Sequence, residues 1–239
     1  IHLAGDARTF VDKKFENKQI LINTKITKNL LKYAKKTKCK KIIFLSSVYV
    51  YSGSKNKVYK ENIKLNPSEP LGKSKFISEK LFKDFTKKNN IKCYILRAFT
   101  IYGPNHRKTQ FLPMIKDKIN SKKNKKIVLN NPYIKRDFVH VNDLIEAINL
   151  CLKKQKSQKL NTLNVGSGKS LSVGFIVKKL LKISNKNKQL IFLPKEKIVN
   201  FSGDKDHYAN IDNIKNILNW KVKININDGL KKFYEQDSK

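Results

Sequence analysis

Ser46 and Ser47 close an apolar run, Lys41–Ser47 (KIIFLSS), and Tyr49 and Tyr51 follow at once. Hydroxyl groups gathered where a buried strand stops can exchange hydrogen bonds with the oxygens of a polar ligand. The plain alternative for the tyrosines is core packing, with each phenol bonded internally. Arg107 comes just after the turn Gly103-Pro104-Asn105 and is placed to contact a phosphate. Thiol and metal chemistry find less support. Cys39, Cys93 and Cys151 are odd in number and far apart, so neither a disulfide framework nor a structural zinc site is expected, and a reducing compartment such as the cytoplasm fits. His2, His106, His140 and His207 are scattered without metal-ligand spacing.

The elements that must carry these groups alternate. Ile1–Gly5 (IHLAG) reads as a buried strand that ends in small residues at a ligand crevice. Residues 17–36 show helical spacing through Ile20, Leu21, Ile26, Leu30, Leu31 and Ala34. Lys41–Ser47 is a strand, 53–70 a polar loop, and 71–89 a helix with Phe76, Ile77, Leu81, Phe82 and Phe85 on one stripe. Lys92–Phe99 is again a strand. Regular alternation of strand and helix predicts a parallel sheet with crossover helices. Beyond it the pattern gives helices over 111–122, 142–154, 170–181, 213–218 and 228–234. Short strands fall at 127–129, 137–141, 160–165 and 190–193.

The chain has 239 residues, with 53 Lys+Arg against 18 Asp+Glu and a formal net charge of +35. That balance suggests a polyanion binder. Yet 49 of the basic residues are lysine, and only Arg8, Arg97, Arg107 and Arg136 offer the planar fork suited to phosphates and bases. Lysine spread over solvated faces explains the charge, and nucleic acid is expected only as nonspecific binding at low salt. No apolar run approaches the roughly 18 residues of a membrane span, so no membrane association is expected.

Several segments together are similar to the extended short-chain dehydrogenase/reductase family, the NAD-dependent nucleotide-sugar epimerases and dehydratases. His2-Leu3-Ala4-Gly5 resembles HLAA. Asn23 in NTKITKNLL resembles N-V-x-G-T-x-N-L-L. Ser46-Ser47-Val48-Tyr49-Val50-Tyr51 resembles S-S-x-x-V-Y, and Leu71-Gly72-Lys73-Ser74-Lys75 resembles Y-G-x-S-K. Arg97 through Pro104 and Arg136-Asp137-Phe138-Val139-His140-Val141 resemble L-R-x-x-N-V-Y-G-P and R-D-F-V-H-V. Gly203-Asp204 and Leu218-Asn219-Trp220 fit the family's tail.

The resemblance implies a fold and a chemistry. The fold is α/β: a Rossmann-type parallel sheet with crossover helices and a smaller C-terminal substrate-binding lobe. Residues 1–103 would form part of a dinucleotide-binding domain. Residues 104–239 would form mainly the substrate lobe, with 137–166 returning to the sheet. The implied activity is NAD- or NADP-dependent epimerisation, dehydration or keto-reduction of a nucleotide-activated sugar, of the kind used in polysaccharide biosynthesis. Leu3, Ala4, Asn23, Ser47, Lys75 and Phe99 match cofactor-binding positions; Ser47 and Lys75 also match catalytic ones. Arg136 matches a substrate-binding arginine. Thr100 stands where the family has an asparagine and keeps a hydroxyl without the amide. Asp204 either touches a sugar or ribose hydroxyl or caps a turn, and Arg107 adds its phosphate contact. A surface pairing of Arg136 with Asp137 is the alternative for that arginine.

Two departures stand out. The family's acid/base tyrosine is Leu71 here, so the lysine one helical turn on, Lys75, has no phenol to assist. Tyr49 or Tyr51 could substitute. A catalytically impaired or non-catalytic sugar-nucleotide binder is therefore the first alternative, and a basic polyanion-associated protein the second. No G-x-x-G-x-x-G occurs, residue 1 is Ile, and the one methionine is Met114. A segment of two βα units, roughly 60 residues, is expected before Ile1. Homodimerisation through a helix pair is carried over from the family only by analogy.

Overall fold

The computed structural model describes residues 1–8, 12–123, 125–194 and 206–236. In chain order the elements are α1 (Lys13–Lys36), β1 (Lys41–Ser47), a 3-10 turn (Val48–Tyr51), β2 (Val58–Tyr59), α2 (Pro70–Lys88), β3 (Lys92–Ala98) and β4 (Thr100–Tyr102). There follow α3 (Phe111–Asn120), β5 (Lys126–Leu129), β6 (Lys135–Arg136), β7 (Phe138–His140), α4 (Val141–Lys153) and β8 (Leu160–Val165). The remainder comprises β9 (Leu171–Ser172), α5 (Val173–Ser184), β10 (Gln189–Phe192), β11 (Tyr208–Ala209), α6 (Asp212–Leu218) and α7 (Ile226–Gln236).

The central sheet runs β1-β3-β8, all parallel. Its strands bury apolar side chains on both faces because helices cover both. Ile42 and Phe44 of β1, with Cys93 and Ile95 of β3, pack under Leu31 and Ala34 of α1 and Phe82 of α2. Ile43, Tyr94 and Leu96 point the other way, onto Leu144, Ala147, Ile148 and Cys151 of α4. Ser47 is level with Ala98, and Ala98 with Val165, so three strands end together. This is the Rossmann-type α/β architecture expected. A further cluster joins Ile115 and Ile119 of α3, Ile176 and Leu180 of α5 and Phe233 of α7 around Ile127 and Leu129 of β5, which pairs with β10.

Four local expectations change. Among the described residues the first strand shrinks to a parallel bridge at His2, whose N–H and C=O bond Ile43 and Leu45 at 2.7 and 3.1 Å. The polar loop contains β2, which pairs with β11. The helix expected over 170–181 starts at Val173, after β9 pairs with β6. The buried face of α1 is not its most apolar one: Gln19, Asn23, Thr27, Leu31 and Ala34 are buried, while Leu21 is 66% exposed. The reason lies in α2. Asn23 Nδ2 donates to Ser74 Oγ at 3.0 Å and the Thr27 and Ser78 hydroxyls lie 3.0 Å apart, so a short polar seam joins the two helices.

Candidate active site

Parallel strands leave a crevice at their carboxyl ends, and here a cavity of about 320 Å³ lies beyond the ends of β1 and β3. The alternation of β1 sends its two terminal hydroxyls to different places. Ser46 also borders the cavity, but its hydroxyl is committed to Glu79 Oε1, to which it donates at 2.6 Å. Ser47 lines the cavity, and its Oγ accepts the Tyr49 N–H at 3.3 Å, opening the 3-10 turn.

Behind this wall runs a buried network that sequence reasoning missed. Glu79 binds Arg97 through Oε1 and Oε2, at 3.0 and 2.7 Å. Arg97 also donates to the Tyr51 hydroxyl at 2.7 Å, which in turn donates to Asn164 Oδ1 at 2.8 Å. Tyr51 is thus enclosed and committed; burial raises its phenol above the usual tyrosine range. It does not stand in for the absent acid/base. One signal was available: Arg97 is a charge inside an apolar strand (KCYILRA), which demands a buried partner.

Lys75 lines the cavity from α2. Its Nζ donates to the Leu45 carbonyl at 2.8 Å and sits 4.9 Å from the Phe44 ring centroid. Desolvation lowers this ammonium to about 8, partly countered by the charge of Glu79. One turn earlier Leu71, only 4% exposed, forms apolar wall. Gly72 allows the start of α2 to touch the 3-10 turn, because a Cβ there would lie 2.3 Å from the Tyr49 carbonyl oxygen. Tyr49 itself lines the cavity.

The cavity thus brings together Leu3, Ser47, Lys75, Phe99, Thr100 and Arg136. Thr100 and Phe138 are partners in the β4-β7 pair, which forms the opposite wall with Ile101. Asp137 does not serve as a surface partner of Arg136. It is buried and accepts the Ser167 hydroxyl and the backbone N–H groups of Ser167, Gly168 and Ala209, at 2.6 to 3.0 Å. Other expected residues stand apart. Ala4 is exposed and not in the lining. Asn23 uses its amide to hold Asp6, accepting its N–H at 2.7 Å and donating to its C=O at 3.0 Å. Arg107 is exposed beside an adjoining hollow that shares Ala7, Ile101, His106 and Gln110 with the cavity. Asp204 lies outside the described residues.

Tyr59 and His207 also line the cavity, with rings stacked at 5.3 Å, although sequence reasoning assigned neither a role. Tyr59 lay in a segment read as loop, and His207 had no neighbour in sequence to give it meaning.

The residues present suit one end of a dinucleotide. Lys75 keeps two N–H groups without a partner among the described residues, and Leu3, Ser47 and Phe99 lie on the same cavity. Comparison with known proteins agrees with this arrangement. A model of the NAD dependent epimerase/dehydratase family matches residues 1–166. UDP-glucose 4-epimerase 2 of Oryza sativa subsp. japonica is 29% identical over 86% of the chain and 54% of its own length. UDP-glucuronate 4-epimerase of Thermodesulfobacterium geofontis is 28% identical over 97% of the chain and 70% of its own length. The crystal structure of UDP-glucuronic acid 4-epimerase from Bacillus cereus in complex with NAD superposes with a TM-score of 0.83 at 27% identity, covering 99% of this chain and 71% of that one. The chain spans little more than half the length of the rice relative.

Proposed function

Because the chain belongs to the NAD dependent epimerase/dehydratase family, we propose that it binds a nucleotide-activated sugar beside NAD or NADP and supports epimerisation, dehydration or keto-reduction at a sugar carbon. The observation that carries this reading is the meeting of Ser47, Lys75 and Arg136 on one cavity at the ends of parallel strands. Leu3, Ser47, Lys75 and Phe99, which line one cavity, would hold the nicotinamide end, and the bound cofactor would supply the hydride acceptor. Ser47 retains its hydroxyl proton for a sugar oxygen, since its one bond among the described residues is accepted from Tyr49 N–H. Lys75, whose one hydrogen bond among the described residues goes to the Leu45 carbonyl, would bond the cofactor ribose. Arg136 makes a charge-assisted contact with the nucleotide diphosphate. Leu71 supplies shape and excludes water, and moves no proton.

Leu71 also favours a second reading, a family member that binds sugar nucleotides without turnover. Calorimetry for binding and NMR analysis of the sugar nucleotide for conversion, at near-physiological salt, separate the two, using NAD and NADP with UDP-glucose and UDP-glucuronate. Binding with turnover supports the enzyme. Binding without turnover, in both the natural chain and Leu71→Tyr, supports the second reading. Binding of neither cofactor nor sugar nucleotide overturns both. No helix among the described residues is long and apolar enough to cross a membrane.

A further inference from the structure

We propose that Lys75 is itself the proton-transfer group of this cavity, taking the sugar hydroxyl proton directly in the place where a tyrosine would act. The inference rests on the enzyme reading above. It begins with Leu71, which lies one helical turn before Lys75 on the same wall and has no exchangeable proton. The Lys75 amine is the nearest titratable group along that face of α2. It has one hydrogen bond, to the Leu45 carbonyl, and rests over the Phe44 ring, so two N–H groups are left without a partner among the described residues.

The charges around Lys75 leave it free to act. Glu79, one turn further along α2, is engaged by Arg97 through both oxygens and by Ser46. His2, from the first segment, is held neutral by burial and by Lys75 itself, at about 4. From β1 the Leu45 carbonyl and the Phe44 ring meet the amine, and from α1 the neutral Asn23 and Thr27 hold the helix seam. Arg136 lies on the same cavity. Among the described residues Glu79 is the charge that favours the ammonium, and desolvation outweighs it, lowering the amine to about 8. A useful neutral fraction then exists near pH 7.5, whereas an ordinary lysine near 10.4 has almost none.

The proton balance closes on this residue. The neutral amine takes the hydroxyl proton and becomes an ammonium as the carbonyl forms, while the hydride and its electron pair leave to the nicotinamide the family supplies. The ammonium returns the proton when the hydroxyl is restored.

Two measurements on the full chain test this. The first is the pH dependence of acetylation of Lys75 by limiting acetic anhydride, followed peptide by peptide by mass spectrometry. A midpoint near 8 is expected. A midpoint at the ordinary lysine value of about 10.4 overturns the proposal. The second is turnover of UDP-glucuronate and UDP-glucose with NAD by the natural chain, Lys75→Arg and Tyr49→Phe. Arginine keeps the charge but cannot deprotonate near neutral pH, so a loss of about 100-fold or more is expected. Lys75→Met checks that the loss follows the missing amine rather than the bulk of the guanidinium. Near-full activity of Lys75→Arg with loss in Tyr49→Phe moves the role to Tyr49 and overturns the proposal. A natural chain that binds both ligands without turnover overturns it too, while leaving the binding reading intact. Failure to bind either ligand overturns the underlying function instead.

Discussion

Glu79 holds Arg97 by both carboxylate oxygens, 3.0 and 2.7 Å from the guanidinium, and both side chains are almost wholly buried. The pair ties α2 to the middle strand of the sheet directly behind Ser47 and Lys75. Removing one member of a buried pair leaves an uncompensated charge, which costs about 3–5 kcal/mol. Glu79→Gln is therefore expected to lower the urea midpoint sharply. It should also move the Lys75 amine below about 8, because Glu79 is the charge that opposes desolvation there. An unchanged urea midpoint in Glu79→Gln contradicts this account of the pair. Replacing Glu79 and Arg97 together by apolar residues should cost far less than either single change.

The seam between α1 and α2 gives a second expectation. Asn23 bonds Asp6 at one end and Ser74 at the other, and Ser74 Oγ donates to the Leu71 carbonyl at 2.8 Å. The chain entering the cavity is thereby fastened to the start of α2. Asn23→Leu leaves these polar groups without their partner, at a cost of about 1–3 kcal/mol. Hydrogen exchange at the Asp6 amide should quicken at least tenfold. Leu21→Lys, on the exposed side of the same helix, should change stability by no more than about 0.5 kcal/mol. Equal effects of the two substitutions would contradict the orientation of α1.

This seam also marks where sequence legibility stopped. Lys41–Ser47 was readable because a strand covered on both faces is a near-continuous apolar run. The spacing of Ile20, Leu21, Ile26, Leu30, Leu31 and Ala34 located helix α1 but not its buried face. An apolar stripe predicts burial only when the partner helix is also apolar, and α2 presents Ser74 and Ser78. The site was legible where one residue type at one position is informative: Ser47 at a strand end, Lys75 one turn after Leu71. Tyr59 and His207 were not, because β2 and β11 exist only through their mutual pairing. The Glu79–Arg97 pair lies 18 residues apart on different elements, and spacing alone does not join them.

His2 provides a pH test. Its ring is 3% exposed, stacks on Phe44 at 5.3 Å and lies 3.3 Å from Thr27 Oγ1 through Nε2. Burial chiefly, then the charge of Lys75, lowers it from 6.5 to about 4. The unfolded chain therefore binds a proton between these values that the folded chain refuses. Stability from this group is complete above pH 6.5, falls as pH drops toward 4, and is level below that. The whole effect is roughly 3 kcal/mol. Urea midpoints for the natural chain should decline across this window, and His2→Phe should flatten the decline. Parallel curves for the two proteins would assign the acid sensitivity elsewhere.

Gly72 offers the most local test of how the site is built. It directly follows Leu71, and the start of α2 passes close to the 3-10 turn at this point. A Cβ at position 72 would lie 2.3 Å from the Tyr49 carbonyl oxygen, 2.9 Å from its carbon and 3.0 Å from Pro67 Cβ. Two of these atoms are backbone and cannot rotate away, so the turn or the helix must shift. Either movement displaces Tyr49, whose N–H bonds Ser47 Oγ, and thereby alters the hydroxyl that lines the cavity. Gly72→Ala raises helix propensity by roughly 1 kcal/mol over glycine. Net destabilisation despite that gain is the expected sign of the clash. Urea unfolding and calorimetry with UDP-glucuronate should show lower stability together with binding weakened at least tenfold. A Gly72→Ala protein that is more stable and binds normally would show that the close approach of α2 to the turn does not position Ser47.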